Sequence, residues 1–176
     1  FVLDRVNNLT TKLNNSEYIK ERITAAYLQL EGVLLENKLR FIGGVRLEKT
    51  EDSGEGLKLD QNGHFLRDSS GAFVRDAAGN RIAITSDPLE QVRLKSIERG
   101  AHSSKSYQSI YPSGNLTYDV TDNVLVRFGY SKTLGRPDFT NILPRTVINE
   151  VAGGGSGTVS LRNSSLIPWT ADNYDV

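Results

Sequence analysis

The sequence predicts an all-β chain, built from antiparallel strands in two long hairpins with large loops between them. Residues 23–50 and 107–139 carry that prediction, because each reads as strand, tight polar turn, strand. In the second stretch Leu116, Tyr118 and Val120 fall on one face, and Asn115, Thr117 and Asp119 on the other. After a turn at Thr121, Asp122 and Asn123, the residues Val124, Val126, Phe128 and Tyr130 oppose Arg127, Gly129, Ser131 and Thr133. A period of two on both sides of so short a polar turn specifies a hairpin and not a helix. One face carries aromatics and the other carries Asp and Arg. Two architectures satisfy that asymmetry: a sandwich with a wet outer face, or a barrel with lipid outside and water inside.

Composition narrows the function classes. The 176 residues include 21 Lys and Arg against 21 Asp and Glu, and 38% are hydrophobic. No run of 18 apolar residues occurs, which excludes a transmembrane helix. Balanced charge offers no basic surface for nucleic acid. Cysteine is absent, so neither a disulfide framework nor a thiolate metal site exists. The chain starts at Phe1 and ends on residues 172–176, which read as a strand just beginning. It is expected to be an internal segment of a longer protein.

Along the chain, residues 1–22 are rich in Asn and Thr, show no sustained period and read as loop. Within the hairpin 23–50, Ala26, Leu28 and Leu30 oppose Tyr27, Gln29 and Glu31, and the turn centres on Glu36 and Asn37. The return strand sets Leu39, Phe41, Gly43, Val45 and Leu47 against Arg40, Ile42, Gly44, Arg46 and Glu48. Ten or eleven residues at roughly 3.3 Å each, tilted by about 45°, cross the ~25 Å apolar band of an outer membrane.

Residues 51–106 form a polar insert with an internal repeat. Asp60, Asp68 and Asp76 recur every eight residues, as do Gly63, Gly71 and Gly79. Asp opens a turn by accepting from nearby backbone N–H groups, and Gly three residues later takes a positive φ. The repeat therefore predicts a small β-meander. Asp87, Pro88 and Glu90 form a helix start, which predicts one short helix near 88–96. A second hairpin spans 107–136. Residues 137–171, with Pro137, Pro144, Pro168 and a glycine stretch, read as a second long loop.

Short turns thus alternate with long connections, the asymmetry of outer-membrane barrels with short periplasmic turns and long outer loops. With these residues in view, the chain resembles the barrel domain of a TonB-dependent outer-membrane receptor. The resemblance rests on residues 23–28, on 37–50 with Asn37-Lys38-Leu39-Arg40-Phe41, and on 111–116 with Tyr111-Pro112-Ser113-Gly114. It continues in 125–139 with Tyr130-Ser131-Lys132-Thr133-Leu134-Gly135-Arg136-Pro137 and in the tail 166–175. The Arg-Asp-x-x-Gly insert is similar to loops of a large-receptor subgroup. The family's tail has Asn-Pro-x-Leu-Lys-Pro, where this chain has Ser164 in place of the first Pro and Ile167 in place of the Lys.

The resemblance implies a segment of a 22-stranded barrel in the bacterial outer membrane. Its parent would bind a scarce nutrient (siderophore, cobalamin or glycan) and import it with energy relayed by TonB. A plug domain and TonB would be its protein partners, and outer-membrane lipid would surround it. In a barrel, the lumen-facing candidates are Tyr27, Gln29, Glu31, Arg40, Arg46, Glu48, Arg127 and Ser131. Arg136, Asp138 and Trp169 are extracellular-rim candidates, and Trp169, Tyr107, Tyr111, Tyr130 and Tyr174 suit an aromatic girdle. The alternative is a soluble extracellular β-rich ligand-binding module, with the apolar face packed on a second sheet.

Other chemistry finds little footing. His64 and His102 are far apart in the insert and read as solvated loop residues rather than metal ligands. The stretch 153–158 lacks the Lys-Ser/Thr ending of a phosphate loop and reads as flexible loop. No nucleophilic triad can be argued from spacing, so no enzyme and no cofactor is expected.

Overall fold

The computed structural model describes residues 4–150 and 156–176. The chain divides into two compact units. One comprises residues 21–52, 104–138 and 165–176, and the other 1–20, 53–103 and 139–164.

The first unit is a sheet drawn from five strands: β1 (Tyr18–Leu34), β2 (Leu39–Asp60), β3 (Ser96–Thr121), β4 (Val124–Gly135) and β7 (Trp169–Asp175), neighbours in that order. β1 and β2 are joined by a turn in which Lys38 N–H donates to the Leu35 carbonyl at 3.0 Å. Glu36 and Asn37 occupy its centre with φ of 52° and 70°. Positive φ at both central positions is the turn whose twist matches that of paired strands. The β3–β4 hairpin turns at Asp122 and Asn123 without positive φ, and a bulge between Asp119 and Thr121 absorbs the mismatch.

Register fixes the faces of these strands. Leu116 pairs with Phe128 and Tyr118 with Val126, while Asn115 pairs with Gly129 and Thr117 with Arg127. β7 continues the sheet antiparallel, with Tyr174 opposite Tyr130 and Asn173 opposite Ser131. The burial pattern is inverted relative to a water-soluble sheet. Leu28 is 72% and Leu30 69% exposed, and Leu34, Leu47, Ile110, Val126 and Phe128 are also exposed, while Glu48 and Thr50 are buried. Taking one such side chain out of water is worth about 1.5–3 kcal/mol, so a stripe this long demands apolar surroundings. The strand order is linear and not closed, with β1 and β7 outermost in this unit.

In the second unit β2 continues as strand to Asp60 and β3 begins at Ser96, so the insert proper is 61–95 and not 51–106. Residues 51–56 of β2 are polar on both faces, which hides a strand from any reading of apolar alternation. Two further strands, β5 (Thr146–Asn149) and β6 (Thr158–Leu161), form an antiparallel pair. β5 also joins β2 in parallel, with Lys58 opposite Thr146 and Asp60 opposite Ile148. Together with α3 (Phe139–Ile142) they give structure to the expected loop 137–171, and β7 starts at Trp169 rather than at 172.

Within the expected loop 1–22, residues 4–22 depart from that reading. Asp4 caps a helix, α1 (Arg5–Asn14), by accepting from Asn7 N–H at 2.9 Å, and Leu13 is its buried residue. Asn and Thr are poor helix formers, and the cap with one apolar anchor outweighs them. The helix α2 (Pro88–Lys95) forms as the sequence predicts, with the Asp87 side chain accepting from Leu89 N–H. It gives way to β3 at Ser96, before Gly100.

The eight-residue repeat folds into a meander closed on itself. Val74 N–H donates to Leu66, Ile82 N–H to Val74 and Leu66 N–H to Ile82, at 3.0, 3.0 and 2.9 Å. Asp68 Oδ1 accepts from the Ser70 and Ala72 amides, and Asp76 Oδ1 from those of Ala78 and Asn80. Gly71 and Gly79 take φ of 87° and 85° as the turn requires. Gly63 is not among the positive-φ glycines. Its backbone instead lies against the Leu94 carbonyl, 2.7 Å from where a Cβ would stand. Phe73 lies between the guanidinium groups of Arg67 and Arg81, at 4.2 and 4.0 Å. His64 is buried against Phe65, so the expectation of a solvated loop histidine is corrected; His102 is exposed. Of the glycine stretch, Gly153, Gly154 and Gly155 lie outside the described residues.

Candidate functional site

Strand parity gathers Glu31, Arg40, Arg46, Glu48, Asp119 and Arg127 of the first unit on one face. Arg40 of β2 sets one Nη between both Asp119 oxygens of β3, at 3.0 and 2.9 Å. Arg46 donates to Glu48 Oε2 through Nε and Nη2, at 3.1 and 2.9 Å. Tyr27 donates to Gln29, its neighbour two residues on. Glu31 and Arg40, with Ile42, Asn115 and Thr117, line a concavity of about 480 Å³. By register Arg127 stands opposite Thr117 and Ser131 opposite Ser113. The Asn173 amide holds the Ser131 carbonyl and the Thr133 hydroxyl, both at 3.1 Å.

Three rim candidates follow β4 or open β7, and the structure places each differently. Arg136 reaches back onto the wall. It donates to Glu48 Oε1, lies 3.5 Å from Glu21 and bonds Tyr107. Arg46, Glu48, Arg136 and Glu21 thus form one ion network. Trp169 stands opposite Gly135, and its indole occupies the space a Cβ there would need, 2.1 Å away. Asp138 lies just beyond Pro137, ahead of α3.

The girdle expectation is corrected in part. Tyr107 bonds Arg136, and Tyr111, at the same parity of an unbroken strand, is buried. Trp169 shares the register of Gly135, which has the parity of Gly129 and Ser131. Only Tyr130 and Tyr174 of the five share the apolar face. Their rings lie 5.1 Å apart, and the Tyr130 hydroxyl donates to Asp172 at 2.8 Å.

Sequence reasoning missed Glu21, Thr50, Asp52, Tyr107 and Tyr111 as members of this polar surface. The parity of β2 carries Arg46 and Glu48 on to Thr50, and to Asp52 only once the strand is known to run to Asp60. Three of these residues hold buried polar atoms without a partner: Thr50 Oγ1, Asp52 Oδ1 and the Tyr111 hydroxyl. Among the described residues no three His, Cys, Asp or Glu side chains come together as metal ligands.

Residues 2–176 match the family model described as TonB dependent receptor-like, beta-barrel. The chain belongs to the TonB-dependent receptor β-barrel family. Searches of curated proteins and of solved structures returned no match. The family is one of outer-membrane receptors and transporters and not of enzymes, and the mainly β architecture agrees with it. An exposed apolar face with polar residues at buried positions is what the wall of such a barrel presents.

Proposed function

We propose that the first unit is part of the wall of an outer-membrane receptor that imports a scarce nutrient with energy relayed by TonB. Its polar face, with Tyr27, Gln29, Glu31, Arg40, Arg46, Glu48, Arg127 and Ser131, lines the lumen. There it meets the plug domain and the passing substrate, which belongs to the siderophore, cobalamin or glycan classes. Its apolar face, with Leu28, Leu30, Val126 and Phe128, contacts outer-membrane lipid. The turns at Glu36–Asn37 and Asp122–Asn123 are periplasmic. The meander 65–84 and the segment beyond Arg136 are extracellular, and Arg136, Asp138 and Trp169 lie at the outer rim.

The single observation that supports this reading is the inversion of burial. Aliphatic side chains are exposed along β1–β4, while Glu48 and Thr50 are buried on the opposite face. A soluble module would need a second sheet over the aliphatic stripe. The test is uptake by cells that depend on the full-length receptor, with and without TonB. Uptake lost with TonB deletion supports the reading; uptake that persists unchanged contradicts it.

A further inference from the structure

We infer that Arg22 and Lys49 form a docking surface for the phosphate headgroup of an outer-leaflet lipid, at the line where the apolar face of the wall ends. The inference rests on the wall reading above and names the class of lipid taken at that line.

Three neighbouring strands draw the line. On β2 the apolar outward positions end at Leu47 and are followed by Lys49 and Glu51, while the alternate residues Glu48 and Thr50 are buried. On β3 the exposed Ile110 gives way to Gln108 and Ser106, both exposed and of the same parity. On β1 Leu30 and Leu28 give way to Ala26, Thr24 and Arg22. Close approaches set these strands against one another: Gly43 lies by Ser113, Gly114 by Ile42, and Gly32 by Phe41. Leu47 therefore stands at about Ile110, and Glu51 at about Arg22. Counting from Asn37, Leu47 is the tenth residue and Lys49 the twelfth. Ten or eleven tilted residues cross the ~25 Å apolar band, so Lys49 stands just beyond it. At the turn end the outward positions are Leu34, Leu39, Val120 and Val124, which confines these two cations to the opposite end of the strands.

The chemistry of the partner follows from the donors at that line. Lys49 Nζ lies 2.7 Å from Glu51 Oε1, and Arg22 faces the same carboxylate. Two cations thus stand about one anion, and positive charge is in excess. Lys49 carries three N–H donors and Arg22 five. Among the described residues Arg22 has no hydrogen-bond partner. A guanidinium beside an ammonium, at the edge of an apolar face, matches an anionic group with several acceptor oxygens that is carried on acyl chains. A phosphate headgroup is such a group. Its chains would lie along Leu28, Leu47 and Ile110, which are 72%, 50% and 59% exposed. The long Arg and Lys stems suit this place, since they cover apolar surface while the charge stays in the polar layer. A zwitterionic headgroup brings its own cation and gains little from two more.

The experiment is native mass spectrometry of the full-length receptor, delipidated in detergent and then offered phosphatidic acid or phosphatidylcholine, each with and without equimolar inorganic phosphate. Arg22→Gln, Lys49→Gln and the charge-keeping Arg22→Lys are compared with the wild type, and thermal midpoints are recorded for all. We expect phosphatidic acid to be retained over phosphatidylcholine. Each Gln substitution should weaken that retention about fivefold, and Arg22→Lys should keep most of it, with midpoints close to the wild type. Equal retention of the two lipids overturns the inference, and so does phosphatidic acid retention unchanged in both Gln variants. Inorganic phosphate that displaces the lipid overturns it too, since the surface then holds a free anion. Retention of neither lipid would overturn this inference and the membrane wall together. Retention as expected, in a receptor whose uptake persists without TonB, would contradict the transport reading and leave the lipid surface standing.

Discussion

Arg136 donates a hydrogen bond to Glu48, a residue 88 positions earlier in the chain, and ties the end of β4 to the face of β2. Glu48 is 6% exposed and holds Arg46 on its other oxygen, so one buried carboxylate organises two guanidinium groups. Arg136 precedes Pro137, where the strand has ended and the chain must choose a direction. The ion network settles that direction for the rim.

Replacing Arg136 with Ala leaves Glu48 buried with Arg46 alone. Losing one partner of a buried charge outweighs the worth of the bond itself. We expect Arg136→Ala to lower the unfolding free energy by about 1–3 kcal/mol, measured by denaturant unfolding in detergent. Glu48→Gln made in the Arg136→Ala background should recover part of that loss. An Arg136→Ala variant as stable as the wild type would show the network to be dispensable.

Trp169 supplies its own reporter, being the only tryptophan in the chain. A side chain at Gly135 would occupy the place of its indole. Gly135→Val should displace the ring, shift its fluorescence emission and cost about 1–3 kcal/mol. Unchanged emission and stability would mean the indole does not lie over Gly135.

The meander carries two separable pH responses. Burial holds His64 below the usual histidine value, with Lys95 adding to the effect. The unfolded segment then binds more protons than the folded one, so this contribution is complete above about pH 6.5 and declines as pH falls below it. Hydrogen bonds from Ser70 hold Asp68 low, and hydrogen bonds from Asn80 hold Asp76 low. Their contribution is complete above the ordinary carboxylate value and is lost as pH falls through their lowered folded values. Hydrogen exchange across residues 61–84 should therefore show one loosening step below about pH 6.5 and another below about pH 4. His64→Phe should abolish the first step alone. A single step, or none, contradicts these assignments.

The hairpins were legible because period two survives wherever one face is apolar and the other polar. Leu116 opposite Phe128 and Tyr118 opposite Val126 are the pairs that alternation specifies. The extension of β2 beyond Thr50 was not legible, since Glu51, Asp52, Ser53 and Gly54 leave both faces polar and erase the signal. The parallel docking of β5 on β2 depends on residues 58–60 meeting 146–148, a long-range pairing that local pattern does not encode. The contact of Arg136 was hidden for a related reason: sequence puts its backbone past the strand end, while its long side chain returns to Glu48. Tyr107 and Tyr111 read as membrane aromatics by residue type. The unbroken parity of β3 assigns them to the polar face instead.

The central claim, water on one face and lipid on the other, is tested most directly at two adjacent residues of β4. Arg127→Cys and Phe128→Cys, each carrying a nitroxide in the full-length receptor reconstituted in bilayers, report collision with oxygen and with a water-soluble nickel chelate. The account predicts that the label at 128 meets oxygen and excludes nickel, and that the label at 127 does the reverse. Equal accessibility of the two labels to nickel would contradict a membrane wall.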